Sequence, residues 1–265
     1  MGMKILFLGD VMGRAGRRAI TENLARLRRD WKLDFIVVNG ENATGGMGLS
    51  GAHAKTLLDA GADCLTLGDH AFDQKDMLSF IEQEPRVIRP LNFSKSAPGK
   101  GAKLFTTQNG KKVLVTQALG QVFMKRPFDD PFSALEPVLK THPLGGMAQA
   151  IIVDMHCEAT SEKMAMGHWC DGRASLVVGT HTHVQTADER ILPGGTAYLT
   201  DAGMTGVRES VIGVRPEMAL QRFLTQVPTR FKPAEGKATL CGALVEADAS
   251  NGRATRIERL QLEEA

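Results

Sequence analysis

Short apolar, β-branched runs recur along this chain, and between them apolar residues return at helical spacing. Runs at 4–8, 35–38, 64–67, 113–116, 151–155, 176–178 and 197–199 have strand length. Helical periodicity marks 17–31, 53–60 and 74–82. Strands alternating with helices are the signature of an α/β protein. Near the C-terminus the pattern changes: two alternating runs flank "ASNG" in "ATLCGALVEADASNGRATRIERLQL", which predicts an antiparallel β-hairpin. From about 85 to 150 the chain is rich in Pro, Gly and Lys, and shows one convincing strand. This stretch is expected to make excursions from a single domain spanning 1–265, as a cap or an oligomer contact, because the same alternation resumes beyond it.

The residues that follow the strands change the picture from fold to chemistry. Asp10 follows "KILFLG", Glu41 and Asn42 follow "FIVVNG", and Asp69, His70 and Asp73 follow "CLTLG". His156 and Glu158 close "IIVDM", His181 and His183 follow "LVVGT", and Asp201 follows "AYLT". Ligand sites of α/β sheets form at the carboxyl edge of the strands, so these carboxylates, carboxamides and imidazoles converge on one rim. Any one acid there reads more readily as a cap or turn former than as a ligand. The set as a whole, beside Gly9, Gly40, Gly68 and Gly179, reads as a ligand site. Asp, Glu, Asn and His without thiolate suit Fe, Mn or Zn, and the donors outnumber the needs of one tetrahedral ion. Two metal ions sharing a carboxylate fit better. The pair in "GTHTH" admits two geometries: both imidazoles on one face of a continuing strand, or both converging above the sheet from a loop.

Composition narrows the function classes. The 265 residues are 43% hydrophobic and 23% charged with net charge +2, so neither nucleic acid nor a membrane surface is an obligatory partner. The basic cluster in "GRAGRRAITENLARLRRDWK" reads as a solvated helix face. Four scattered cysteines without a C-x-x-C pair, and an opening apolar run too short for a leader or a span, predict reduced thiols and a cytoplasmic protein. His53, His142 and His168 read as structural or surface residues, Met164 and Met166 as core, "GGMG" at 45–48 as a flexible loop, and Arg208 as a surface or phosphate-facing arginine.

The order D…GEN…GDH…H…GTHTH resembles the calcineurin-like metallophosphoesterase superfamily, and most closely its YmdB-type branch. The blocks "FLGDVMGRAGR", "VVNGENATGGMGL", "LTLGDHAFDQK", "VDMHCEATSEKMAMG", "VVGTHTHVQTAD" and "YLTDAGMTG" carry the likeness, from residue 1 to about 215. The resemblance implies an α/β sandwich of central sheets flanked by helices. It implies a binuclear centre of divalent or trivalent ions, Fe or Mn with Zn as a third choice. Asp10, Asn42 and His183 would serve the first ion, and His156 and His181 the second. Glu41 would bridge them, Asp69 would be a further ligand, and His70 the general acid. Met12 stands where the wider superfamily often has histidine, and Asp69 where the family usually has asparagine, which adds a negative charge. The implied reaction is hydrolysis of a phosphodiester, with 2′,3′-cyclic nucleotides as the substrate class, by a metal-bridging hydroxide. A phosphomonoesterase or 5′-nucleotidase would use the same rim, and a regulatory protein acting through partners could keep the fold alone. A homo-oligomer is expected.

Overall fold

Each apolar run is covered on both sides because the strands fold into two sheets laid face to face, with helices outside. The computed structural model describes residues 2–264. The first half runs β1 (Gly2–Leu8), α1 (Gly13–Trp31), β2 (Phe35–Asn39), α2 (Gly51–Asp59), β3 (Cys64–Thr66), α3 (Met77–Gln83) and β4 (Val87–Ile88). The second sheet is built from β5 (Ala102–Thr106), β6 (Lys112–Leu119), α4 (Pro131–Thr141), β7 (Ala150–His156), α5 (Thr160–Trp169), β8 (Leu176–Thr180), β9 (Arg190–Ile191) and β10 (Ala197–Leu199). The chain then returns to the first sheet through β11 (Gly206–Val207), α6 (Pro216–Thr225), β12 (Ala238–Asp248) and β13 (Ala254–Glu263).

The first sheet has the order β11-β12-β1-β2-β3-β4, with β13 paired to β12, and the second β5-β6-β7-β8-β10-β9. β1 to β4 are mutually parallel, as are β6, β7, β8 and β10. The predicted hairpin is β12–β13, and β12 also pairs antiparallel along β1.

Strand alternation sorts the core into three layers. Ile5, Phe7 and Val37 meet Val115, Ile152, Val178 and Leu199 between the sheets. Their neighbours Leu6, Leu8 and Val38 pack outward on Leu24, Leu27 and Leu57 of α1 and α2. Leu114, Val153 and Val177 pack on Leu135, Leu139 and Met166 of α4 and α5. Full burial of one such side chain contributes about 1.5–3 kcal/mol, so two faces per strand explain the unbroken apolar runs.

The stretch 85–150 holds more regular structure than its sequence predicts. It supplies β4, β5 and β6, and α4 lies on the outer face of the second sheet. β5 was hidden because it is an antiparallel edge strand carrying Lys103 and Thr106. Pro131 at the first turn and Pro137 inside masked α4. The basic face of α1 is solvated as expected, with Arg14, Arg18, Arg26 and Arg29 exposed, while Arg17 and Arg28 also brace the fold by donating to the Ala43 carbonyl and to Asp63. Met166 is buried as expected, but Met164 is 40% exposed. Among the described residues no helix is long and apolar enough to cross a membrane.

Candidate metal centre

The carboxyl ends of β1, β2, β3, β7 and β8 meet at one edge of the sandwich. Glu41, Asp69, His156 and His181 offer donor atoms within 4.8 Å of one another, and Asp10, Glu41 and His183 form a second such set. Glu41 is common to both. Asn42 joins the second, with Oδ1 3.0 Å from His183 Nε2. All seven residues expected as ligands are therefore together. His70 stands beside them: its N–H donates to Glu41 Oε1 at 3.0 Å, and its ring Nδ1 lies 2.7 Å from Asp73 Oδ2. Of the other strand-end acids, Glu158 Oε2 lies 3.5 Å from His181 Nε2. Asp201 belongs to neither donor set and forms a buried ion pair with Lys163 at 2.6 Å.

The two histidines of GTHTH do not share a strand face. β8 ends at Thr180, and both His181 and His183 adopt left-handed backbone, with φ of 99° and 65°. Such conformations cost roughly 1–3 kcal/mol each and persist only where surroundings impose them. The turn sends His181 to the Asp69–His156 set and His183 to the Asp10 set. Thr182, between them, is fastened by its hydroxyl and its N–H to Asp201 Oδ2, at 2.7 and 3.3 Å.

Further contacts aim the donors. Asn42 Nδ2 donates to the Gly46 carbonyl at 3.1 Å, which turns Oδ1 towards His183. The "GGMG" stretch, expected to be flexible, is a hydrogen-bonded turn closed by Thr44 N–H on the Gly48 carbonyl at 2.9 Å. His183 Nδ1 meets the Ile212 carbonyl at 2.9 Å; a carbonyl only accepts, so the proton sits on Nδ1 and Nε2 faces the site. Gly68 has φ +80°, and a Cβ there would overlap Glu41 Oε1 and lie 2.7 Å from His156 Cε1. The histidines read as structural are so: His53 Nδ1 bonds Thr44 Oγ1 at 2.7 Å, His142 follows the end of α4, and His168 lies in the last turn of α5.

Sequence reasoning missed Lys163, Thr180, Gln117 and Asp154, and gave Asp73 no role. Asp154 was visible as the charged residue interrupting "AIIVDMH", and Asp73 as an acid three residues after His70.

The electrostatics favour a cation. Asp10 is fully buried, and its Oδ1 has no hydrogen-bond partner, a costly state for a carboxylate oxygen. Burial alone would raise the Asp69 carboxyl, but hydrogen bonds from His156 and His181 hold it well below the usual carboxylate range. Burial would lower His156, yet Glu41 and Asp69 against Nε2 push it well above the usual imidazole value. Positive charge is thus drawn to the point shared by Glu41, Asp69 and His156. An orphaned carboxylate oxygen, and O and N donors without thiolate, fit hard or borderline metal ions.

Two donor sets sharing a carboxylate, at the strand ends of an α/β sandwich, are the arrangement of a two-metal hydrolase, and the relatives make it a phosphoesterase. A crystal structure of a phosphatase from Mycoplasma pneumoniae superposes with a TM-score of 0.91 at 36% identity, covering 100% of this chain and 94% of that one. Another, of a protein from Thermus thermophilus, gives 0.91 at 42% identity over 99% and 100%. The 2′,3′-cyclic-nucleotide 2′-phosphodiesterase of Bacillus subtilis is 45% identical over 258 residues, 97% of this chain and 96% of its own. The sequence model of the YmdB-like proteins matches residues 6–260, and the chain belongs to that family.

Proposed function

We propose that this phosphodiesterase opens 2′,3′-cyclic nucleotides at the 2′ oxygen, using two metal ions, Fe or Mn before Zn. The observation that carries the reading is the pair of donor sets joined at Glu41, one of them ending in the unpartnered oxygen of Asp10. Asp10, Glu41, Asn42 and His183 would hold one ion, and Glu41, Asp69, His156 and His181 the other. When bound, the ions polarise the phosphoryl oxygens and acidify the attacking water. The three carboxylates oppose the four charges of two divalent ions, and the remaining positive charge suits a phosphodiester anion.

The chain's own groups do the rest. Asp73 holds His70 Nδ1, which leaves Nε2 to give its proton to the leaving oxygen. Water gives up a proton to solvent and adds to phosphorus, the P–O2′ bond breaks, and the His70 proton ends on O2′, leaving a 3′-monophosphate and a His70 that takes its proton back from solvent. The name of the Bacillus subtilis relative supports this choice of substrate and bond. Beside His183 a cavity of about 230 Å³, lined also by Gln185, Arg208 and Ser210, offers space for part of the nucleotide. The exposed apolar residues Leu220, Phe223 and Leu224 of α6 favour a homo-oligomer, which sedimentation would detect. Four buried, unpaired thiols favour a reducing, cytoplasmic setting.

The deciding experiment is elemental analysis of protein purified without added metal, alongside hydrolysis of 2′,3′-cyclic AMP and of bis- and mono-p-nitrophenyl phosphate. About two metal ions per chain, with 3′-AMP as product, are expected. Hydrolysis confined to the monoester would replace the reading by a phosphomonoesterase. Inactivity on all three, with Mn or Fe supplied, would replace it by a binding protein.

A further inference from the structure

Beneath His156 lies a buried polar chain that the proposed reaction does not use. Asp154, two residues earlier on the same face of β7, is fully buried, and four side chains from four strands surround it. Their chemistry fixes the direction of every hydrogen bond. Asn39 Oδ1 accepts the Glu41 N–H at 3.0 Å, so the Asn39 amide nitrogen is the atom that meets Asp154 Oδ2, at 3.2 Å. Gln117 Oε1 accepts the N–H groups of Leu67 and Gly68 at 3.2 and 2.8 Å, so its amide nitrogen donates to the same Oδ2, at 2.7 Å. The Thr66 hydroxyl adds a third donor at 2.7 Å.

Asp154 Oδ2 is thereby saturated, and Oδ1 accepts from the Thr180 hydroxyl at 2.6 Å. A hydroxyl has one proton to give. Having given it to Asp154, Thr180 can only accept at its other contact, His156 Nδ1, 2.8 Å away. The ring N–H is then on Nδ1. Nε2, 3.1 Å from Glu41 Oε1 and 3.2 Å from Asp69 Oδ1, is the nitrogen free to bind a cation. His183 reaches the same state through a backbone carbonyl; His156 reaches it through two side chains.

We infer that Asp154 and Thr180 are positioning residues, which set the His156 tautomer for metal binding through an Asp154–Thr180–His156 relay. This rests on the reading of His156 as a ligand, and its test separates the two. Asp154→Asn keeps shape but reverses polarity. Three donors crowd the Oδ2 seat, so the asparagine oxygen must occupy it and the NH2 group faces Thr180. Thr180 then donates to His156 Nδ1, and the ring proton moves to Nε2, where the cation belongs. Thr180→Val removes the relay at constant volume, and Thr180→Ser restores it.

The measurement is Zn²⁺ affinity by chelator competition, with melting curves as the fold control. A nitrogen-15 histidine spectrum of the Zn²⁺-loaded parent would add the Nδ1–H signature of His156. Loss of a ligand's supporting partner typically weakens metal binding about 10–100-fold. Asp154→Asn and Thr180→Val are expected to fall in that range at one of the two ions, with Thr180→Ser close to the parent. A loss of melting temperature at unchanged Zn²⁺ affinity in Thr180→Val would overturn the relay and leave a structural bond. His156→Ala isolates the underlying reading. If it also keeps both ions, the ligand assignment fails; if it loses one while Asp154→Asn binds like the parent, the relay alone fails.

Discussion

Lys163→Met tests the support of the GTHTH turn most directly. Lys163 and Asp201 are each 1% exposed at the side chain, with Nζ 2.6 Å from Oδ2. The same carboxylate accepts from both Thr182 groups and, at Oδ1, from the Gly203 N–H at 2.8 Å. Methionine keeps the aliphatic stem but strips Asp201 of its counter-ion. An uncompensated buried charge of this kind costs about 3–5 kcal/mol. At about 2–4 °C per kcal/mol for a chain of this size, the melting temperature should drop by roughly 6–20 °C. Denaturant titration would give the free energy, and elemental analysis the metal content, which should fall as the stranded Asp201, still the anchor of Thr182, shifts towards solvent. Asp201→Asn on the Lys163→Met background removes the stranded charge and should recover part of the stability. A loss under about 1 kcal/mol would mean that the pair is solvated, against its burial. An equal loss in single and double variants would place the cost in packing, and the charge argument would fail.

Other outcomes follow from geometry already described. Gly68→Ala forces a β-carbon onto Glu41 and into a left-handed backbone. It should destabilise by about 1–3 kcal/mol and lower metal content, and a fully loaded, equally stable variant would refute the packing. His70→Gln should keep its metal and lose about 10²–10⁴-fold in turnover; departure of metal with the imidazole would make His70 a ligand instead. Burial raises the Cys64 thiol, and pushes Cys157 and Cys170 up to about 12 and Cys241 to about 11. Native protein at pH 8 should therefore resist a thiol-specific reagent, while denatured protein exposes four thiols. The sign for stability follows: unfolded thiols ionise near 9.0, before the folded ones, so the unfolded state sheds protons first. Stability should fall as pH rises from about 9 towards 12, and a thiol that reacts at once at pH 8 would contradict the burial.

Much of this architecture was legible in the sequence, because a parallel strand covered on both faces has to be apolar throughout. Runs such as 4–8 and 176–178 therefore stood out. The donors were legible for a related reason: hydrophilic groups at the end of such runs have few places to go except the sheet edge. What stayed hidden obeys other rules. β5 lies at an edge, so half its pattern answers to solvent, and the prolines of α4 read as breakers although one occupies the tolerated first turn. Asp201 matched the strand-end pattern and was placed on the rim. Its partner, Lys163, sits in α5 and looks from sequence like any helical lysine. Only the fold brings the two together.

The carboxylate of Asp154 takes hydrogen bonds from β2 and β3 of one sheet and from β6 and β8 of the other. Neither sheet alone can assemble that knot, and the donors above it span positions 10 to 183 of the chain. Contacts so distant in sequence form late, after the local pairings that reduce their loop-closure cost. Metal capture should accordingly lag behind the gain of secondary structure during refolding and mark the moment the two halves dock. In a dilution experiment, a metal-sensitive dye would then time the last step of folding rather than the first.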